Sequence, residues 1–249
     1  MGCGRKTGFY VPVKDVLSLN KLREVYWVWR SLELKAHETL LDIGCGTGFW
    51  TRQLSRVCRF AVGIDVQVSQ ISQIRGDDSK RHMRVAAEAE KLPFFAKSFD
   101  KVVSICALEH FQSDTQAISE MYRVMKDDGL LVMTVDSLTH PAVDHAYREF
   151  HRKKYFVNHY YDLETVQLRL EEAGFELQKH QFIINSAVSV RLLRFFHGNP
   201  QQRAILVPVL MPLALLADHL KGDSRSGVIL ALTARKKGRS SAGRTPVER

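Results

Sequence analysis

Residues 40–49 hold an apolar run followed directly by three glycines spaced two residues apart. The apolar run is typical of a buried strand, and Gly44, Gly46 and Gly48 come next. Glycine adopts backbone conformations that other residues avoid, and it lets a ligand approach the bare main chain. Because an apolar pattern with helical spacing follows, the stretch predicts a strand, a glycine turn and a helix.

Two acids flank this unit. Asp42 lies just before the glycine turn, and Asp65 ends the next apolar run, residues 60–64. An acid about 20 residues after such a turn suits the two hydroxyls of a ribose, since a carboxylate can accept both hydrogen bonds. Asp42 either orients the turn for a ligand or has a structural role. The glycine pattern alone also permits a nicotinamide dinucleotide.

Two further segments of the sequence indicate which cofactor the glycine turn would bind. Residues 87–94 read Ala-Glu-Ala-Glu-Lys-Leu-Pro-Phe, and residues 98–100 read Ser-Phe-Asp. With the glycine turn and Asp65, they make the chain resemble the class I S-adenosylmethionine (SAM)-dependent methyltransferases, in the small-molecule branch with a D-A-E-x-L-P-F signature. That branch has aspartate where this chain has Glu88, which keeps the carboxylate. The resemblance covers roughly residues 38–135.

The resemblance implies SAM as the cofactor and assigns roles to residues. The glycine turn would pass close to the methionine part, and Asp65 would bind the ribose. Glu88 would accept from the adenine amine, and the N–H of Ala89 would reach a ring nitrogen. Cys106 ends the fourth strand, at the mouth of the site. The expected cofactor-binding residues are Asp42, Gly44, Cys45, Gly46, Gly48, Asp65, Glu88, Ala89 and Cys106.

Alternating strands and helices predict an α/β fold with a parallel sheet covered by helices on both faces. The resemblance implies a Rossmann-like, seven-stranded, mostly parallel sheet whose last strand is antiparallel and lies beside the sixth. We divide the chain into an N-terminal helical cap (1–36), a SAM-binding core (37–136), a substrate-side insertion (137–161), the C-terminal half of the sheet (162–234) with an apolar insertion at 186–226, and a disordered basic tail (235–249).

Some helix ends are marked in the sequence. Ser113 and Gln116 form a capping box before an apolar helical face. Asp128 and Gly129 are expected to end that helix, and a fifth strand would follow from residue 130.

The sequence is less specific about the residues that would contact the methyl acceptor. His110 follows the fourth strand and is a candidate general base, although it could equally form a wall of the site or cap the loop. His140, Tyr147 and His151 are candidates for acceptor contacts or members of a hydrogen-bonded lid. The histidines of residues 137–161 lack a metal-ligand spacing, so no metal site is expected.

Residues 204–217 are uncharged and almost wholly apolar. They are too few to span a bilayer, which takes about 20 helical residues, and Pro208 and Pro212 are expected to interrupt a helix there. The segment can cover the sheet, lie at a membrane surface or line an acceptor pocket. The last two readings predict a lipophilic or lipid-linked acceptor and peripheral contact with a membrane.

The net charge of +9 includes +5 from residues 235–249, which are expected to be solvated rather than bound to nucleic acid. Four cysteines without a CxxC pair indicate a reducing, cytoplasmic location. The sequence predicts a SAM-dependent methyltransferase acting on a small molecule. The alternatives are a SAM-binding module without catalysis and a nicotinamide-dependent oxidoreductase, and the oligomeric state stays open.

Overall fold

The computed structural model describes residues 20–71, 81–198, 203–222 and 225–237. These residues form a seven-stranded sheet with the strand order β3-β2-β1-β4-β5-β7-β6. The strands are β1 (Thr39–Ile43), β2 (Phe60–Asp65), β3 (His82–Ala86), β4 (Phe99–Ile105), β5 (Met125–Asp136), β6 (Phe175–Ile183) and β7 (Ile229–Lys236).

The helices lie on both faces of this sheet. They are α1 (Lys21–Leu32), α2 (Phe49–Leu54), α3 (Val68–Ile71), α4 (Asp114–Val124), α5 (His145–Tyr155), α6 (Leu163–Glu172), α7 (Ala187–Gly198) and α8 (Arg203–Lys221), and a 3₁₀ turn spans Leu108–His110.

The first five strands pair in parallel, whereas β7 is antiparallel to both β5 and β6. The fold class expected from the sequence is therefore confirmed, including the antiparallel last strand beside the sixth. Because β1, β2, β4 and β5 run in one direction, their carboxyl ends meet at one edge of the sheet, where ligands of open α/β sheets bind.

Each face of the sheet has its own apolar core. On one face, α4 and α6 bury Ile118, Met121 and Leu170 against the strands. On the other, Val28 and Leu32 of α1 pack against the sheet. A separate cluster joins α7 and α8 to β6 and β7. The apolar periodicity of each helix thus decides which side of the helix is buried, whereas the right-handed crossover connections decide which face of the sheet it covers.

The fourth helix is shorter than the sequence predicts. Its N-terminus is as expected, because the Ser113 side chain accepts from the N–H of Gln116. It ends at Val124, however, and β5 already begins at Met125, so the end predicted at Asp128 and Gly129 is wrong. Met125 instead pairs with Phe99 of β4 and is fully buried in the core, so the chain enters the sheet directly after Val124.

The prolines of the apolar segment do not interrupt its helix. Pro208 and Pro212 lie inside α8, which runs without a break, so that expectation is wrong. Both prolines lie on the exposed side of α8, where water can bond the carbonyl oxygens that proline leaves without a helical partner. The described residues contain no helix long and apolar enough to cross a membrane.

The start predicted for the disordered tail, residue 235, is too early in the chain. Arg235 and Lys236 belong to β7, and the ammonium group of Lys236 donates to the main-chain oxygens of Tyr122 and Met125. The expectation for residues 238–249 lies outside the described residues, as does that for residues 1–19 of the cap.

Candidate functional site

The glycine turn lies at the carboxyl edge of the sheet, between β1 and α2. Gly44, Gly46 and Gly48 have φ angles of 74°, 53° and 75°, in the left-handed region that favours glycine. A Cβ atom on Gly44 would lie 2.5 Å from the Cβ of Ala107, whereas one on Gly46 would meet nothing within 4 Å. Gly44 therefore packs against the segment after β4, while the turn is open at Gly46.

Asp65 connects the end of β2 to this turn. Its Oδ2 accepts the N–H of Gly46 at 2.8 Å, and its Oδ1 accepts the N–H of Gln67 at 2.9 Å. A carboxylate oxygen can accept more than one hydrogen bond, so both oxygens keep acceptor capacity for a ligand. Asp65, which is expected to bind the ribose, thus also holds the glycine turn in its conformation.

Asp42 and Cys45 face inward at the turn. Asp42 is 3% exposed, and its Oδ2 accepts from the hydroxyl of Thr51 on α2 at 2.6 Å. Burial raises the pKa of Asp42 to about 6, and burial likewise raises the pKa of the Cys45 thiol. The hydrogen bond between Asp42 and Thr51 connects β1 to α2, which supports a structural role for Asp42.

The segment after β3 presents Glu88 beside Asp65. The N–H of Ala87 donates to the main-chain oxygen of Asp65 at 3.1 Å. Glu88 is exposed, and its carboxylate contacts no partner within the described residues, whereas Ala89 is buried. At this edge of the sheet, the carboxylate of Glu88 can accept a hydrogen bond from the amine of an adenine.

The sequence analysis did not identify what holds this segment in place. The guanidinium of Arg123 on α4 donates to the main-chain oxygens of Leu92 and Phe94, and Glu120 accepts the N–H of Leu92. Glu120 and Arg123 also pair with each other. Nothing in the spacing of α4 to residues 87–94 indicates these contacts, because they depend on how the helix packs.

The backbone changes direction at Cys106, directly after β4. Its φ angle of 46° is unusual for a residue other than glycine. Its N–H donates to the main-chain oxygen of Thr134 at 2.9 Å, and its thiol donates to Oε2 of Glu24 at 3.1 Å. Burial, with the nearby carboxylate of Glu24, raises the pKa of this thiol.

Three buried acids lie near Cys106, and the sequence analysis identified none of them. Glu24 and Glu109 are fully buried, and Asp136 is 9% exposed. Burial raises the pKa of Asp136 to about 7 and that of Glu109 well above its usual range. The only signal in the sequence was positional: Asp136 ends β5 as Asp65 ends β2.

His110 lies on the exposed side of the 3₁₀ turn. Its Nδ1 is 3.2 Å from the main-chain oxygen of Phe156, which follows α5. Asn158 reinforces this contact, since its side chain donates to the oxygen of His110 and its N–H to that of Glu109. The substrate-side insertion therefore packs on the turn that carries His110.

The structure brings together two of the three predicted acceptor residues. The rings of Tyr147 and His151 are 6.2 Å apart, and His151 Nε2 lies 3.8 Å from Oδ2 of Asp136. Burial lowers the pKa of His151 to about 4, so the ring is neutral at pH 7. His140 lies elsewhere: its Nδ1 accepts the N–H of Ala142, and it faces Asp218.

The apolar segment of α8 lines a cavity of about 780 Å³ between α1, α8 and the sheet. Met211 and Leu215 contribute to it, as do Lys101 of β4, Leu130 of β5 and Ile183 at the end of β6. The glycine turn, residues 44–48, is not among the residues that line this cavity.

The fold and the edge together define a doubly wound α/β domain that binds a nucleoside-containing cofactor at a glycine turn. Residues 41–133 match the family model described as a methyltransferase domain. Residues 41–133 are thus a methyltransferase domain, and the predicted resemblance to the class I SAM-dependent methyltransferases is confirmed for this domain, whereas its assignment to the small-molecule branch stays a prediction.

Comparisons with known proteins agree with this assignment. An uncharacterised protein of Methanocaldococcus jannaschii is 38% identical over 106 residues, which cover 43% of this chain and 40% of that protein. A demethylmenaquinone methyltransferase of Tropheryma whipplei is 31% identical over 130 residues, covering 50% and 53%. The chain therefore matches only about half the length of such relatives.

Among solved structures, phosphoethanolamine N-methyltransferase 2 of Haemonchus contortus, in complex with SAM, superposes with a TM-score of 0.64. The sequence identity is 17%, and the match covers 88% of this chain and 54% of that chain. This likeness concerns the fold.

Proposed function

We propose that this protein transfers a methyl group from SAM to a small-molecule acceptor. The observation that carries the proposal is the convergence of an open glycine turn at Gly46, the acid Asp65 and the free acid Glu88 on one edge of the sheet. These groups match the methionine part, the ribose and the adenine of SAM, respectively. A nicotinamide dinucleotide also carries an adenine, so it is the match of residues 41–133 to a methyltransferase domain that favours SAM over it.

Methyl transfer from a sulfonium is an in-line displacement. The leaving group is already cationic, so the site must mainly hold the acceptor about 3 Å from the methyl carbon and in line with the breaking bond. The resemblance to the family implies that Cys106, at the end of β4, is close to that methyl group. The acceptor would bind at the mouth of the site, which the 3₁₀ turn and the substrate-side insertion border together.

His110 remains the candidate base. If its Nδ1–H donates to the oxygen of Phe156, the neutral ring leaves Nε2 as a proton acceptor. An acceptor with a hydroxyl or protonated amine would lose its proton there.

The finer proposal is a lipophilic or lipid-linked acceptor reached at a membrane surface. Its support is a stripe of exposed apolar side chains along one face of α8, spaced three or four residues apart: Ile205, Val209, Leu213, Leu216 and Leu220. Arg191 is exposed on the neighbouring helix α7 and suits an anionic surface, whereas Arg194 is paired with Asp144. One relative is named for demethylmenaquinone.

The test is turnover of SAM by the purified full chain. We expect SAM to bind and NADH not to bind, and we expect S-adenosylhomocysteine (SAH) to accumulate when a suitable acceptor is added. The acceptor panel should include lipid extracts. Binding of SAM without SAH release in any extract would favour the non-catalytic module, and binding of NADH would contradict the proposal.

A further inference from the structure

A thiol and three carboxylates from four separate elements meet inside the protein at the mouth of the site. Glu24 comes from α1, Cys106 from the end of β4, Glu109 from the 3₁₀ turn and Asp136 from the end of β5. The Sγ of Cys106 and one oxygen each of Glu109 and Asp136 lie within 4.8 Å of one another. These three residues form what we call the thiol–carboxylate cluster.

The side chain of Glu109 is the observation that points to a ligand. It is fully buried, and neither of its carboxylate oxygens has a hydrogen-bond partner within the described residues. An isolated buried carboxylate is costly by several kcal/mol, and a second acid nearby adds to the cost. Asp136 is such a neighbour. A cation between them would remove both penalties.

The protein itself supplies little positive charge at this point. Within the described residues, the ammonium group of Lys21 lies 3.5 Å from Oε2 of Glu24, and the thiol of Cys106 donates to the same oxygen. The Nε2 atom of His151 lies 3.8 Å from Oδ2 of Asp136. Lys21 thus forms its ion pair with Glu24, and neither carboxylate oxygen of Glu109 has a hydrogen-bond partner within the described residues.

We propose that Cys106, Glu109 and Asp136 bind a divalent transition-metal ion, for which Zn²⁺ is the best fit. One soft thiolate with two carboxylate oxygens suits Zn²⁺ better than Mg²⁺ or Ca²⁺, which prefer all-oxygen sites. Three side-chain ligands leave one tetrahedral position open, as in catalytic zinc sites. The ion would displace the thiol proton, and Glu24 and Lys21 would then form its outer shell.

This proposal departs from the sequence expectation of no metal site. That expectation rested on the spacing of the histidines in residues 137–161, and the cluster contains none of them. It also stands apart from the proposed methyl transfer, because metal binding can be measured without SAM or an acceptor.

The test is titration of the metal-free full chain with Zn²⁺ by calorimetry and with Co²⁺ by absorption spectroscopy. We expect one ion per chain, and a thiolate-to-cobalt charge-transfer band in the near ultraviolet. Loss of an outer-shell partner alone costs 10- to 100-fold in metal affinity, so Cys106→Ser and Glu109→Gln should each weaken Zn²⁺ by more than about 100-fold. Cys106→Ser should also abolish the band.

Two controls separate binding from folding. Cys58→Ser removes a buried cysteine outside the cluster and should keep both the stoichiometry and the band. Metal-free Glu109→Gln should melt close to the wild type, since the amide has nearly the shape of the buried carboxyl group that it replaces. Zn²⁺ should raise the melting temperature of the wild type but not that of Glu109→Gln.

Absence of stoichiometric Zn²⁺ binding to the wild type would overturn the proposal, and the acids would then be neutral by protonation. A cobalt band that survives in Cys106→Ser but not in Cys58→Ser would overturn it as well, because the thiol ligand would lie elsewhere.

Discussion

Asp65 accepts the main-chain N–H of Gly46 at 2.8 Å, so the acid at the end of β2 and the open point of the glycine turn form one unit. The two residues are 19 positions apart and belong to adjacent parallel strands and their following turns. A ligand that reaches the carboxylate therefore also meets the bare backbone at Gly46.

Asp65→Ala should lower SAM affinity roughly 10- to 150-fold. The reason is the loss of a charge-assisted hydrogen-bond partner, worth about 1.5–3 kcal/mol, together with the anchor of the turn. Asp65→Asn, which keeps one acceptor oxygen, should lose less. Calorimetry with SAM and with SAH measures both variants, and unchanged affinity in Asp65→Ala would refute the ribose assignment.

Glu88→Leu should weaken SAM more than Glu88→Gln does, because the amide oxygen of glutamine still accepts from the adenine amine. The side chain is exposed, so neither change should alter the melting temperature. Glu164→Leu, at an exposed acid on α6, should bind SAM normally and serves as the control. If the two Glu88 variants bind SAM alike, Glu88 does not recognise the adenine.

Gly46→Val should fold but fail to bind SAM, because the added side chain would point into the open space that the cofactor needs. The left-handed φ angle costs about 1–2 kcal/mol in stability. Gly222→Val is a matched control, since Gly222 also has a positive φ angle and open space around it. Gly44→Ala should instead destabilise the fold by its clash with Ala107.

Circular dichroism and calorimetry distinguish these glycine variants. Both valine variants should show near-native spectra and a similar loss of stability, and only Gly46→Val should lose SAM. Retention of SAM binding in Gly46→Val would place the cofactor elsewhere.

Asp42 should make stability fall as the pH rises from about 4 to about 7. Its pKa in the folded state is raised to about 6, so the folded protein holds this proton more tightly than the unfolded chain does. Its stabilising contribution is therefore complete below the unfolded pKa and is lost as the pH rises through about 6. The change corresponds to about 3 kcal/mol in the free energy of unfolding.

Urea denaturation across this pH range, with Asp42→Asn as the reference, isolates the effect from other titrating groups. The wild type should lose stability relative to Asp42→Asn as the pH rises. A difference that is constant with pH would show that Asp42 has an ordinary pKa.

Val209→Asp combined with Leu216→Asp should reduce binding to anionic liposomes by at least about tenfold, since each exposed apolar side chain contributes about 1.5–3 kcal/mol when buried. SAM affinity should not change. Leu168→Asp on α6 is the matched control, because Leu168 and Leu216 are each 54% exposed. Equal liposome binding by all three proteins would remove the support for membrane contact.

The sequence by itself determined the architecture of the core and the cofactor edge. The glycine turn, Asp65 and Glu88 each lie at the end of a strand or within two residues after it. Parallel strands with right-handed crossovers bring such positions to the same edge of the sheet. Their placement follows from local pattern and connectivity, which are both readable along the chain.

The tertiary structure alone decided the acceptor side. Cys106 and Glu24 are 82 residues apart, and their contact depends on how α1 packs against the sheet. Likewise, the apolar pattern of α8 does not reveal which face stays exposed, since every face carries apolar residues. Long-range packing has no local signature, and the thiol–carboxylate cluster and the exposed stripe of α8 both result from it.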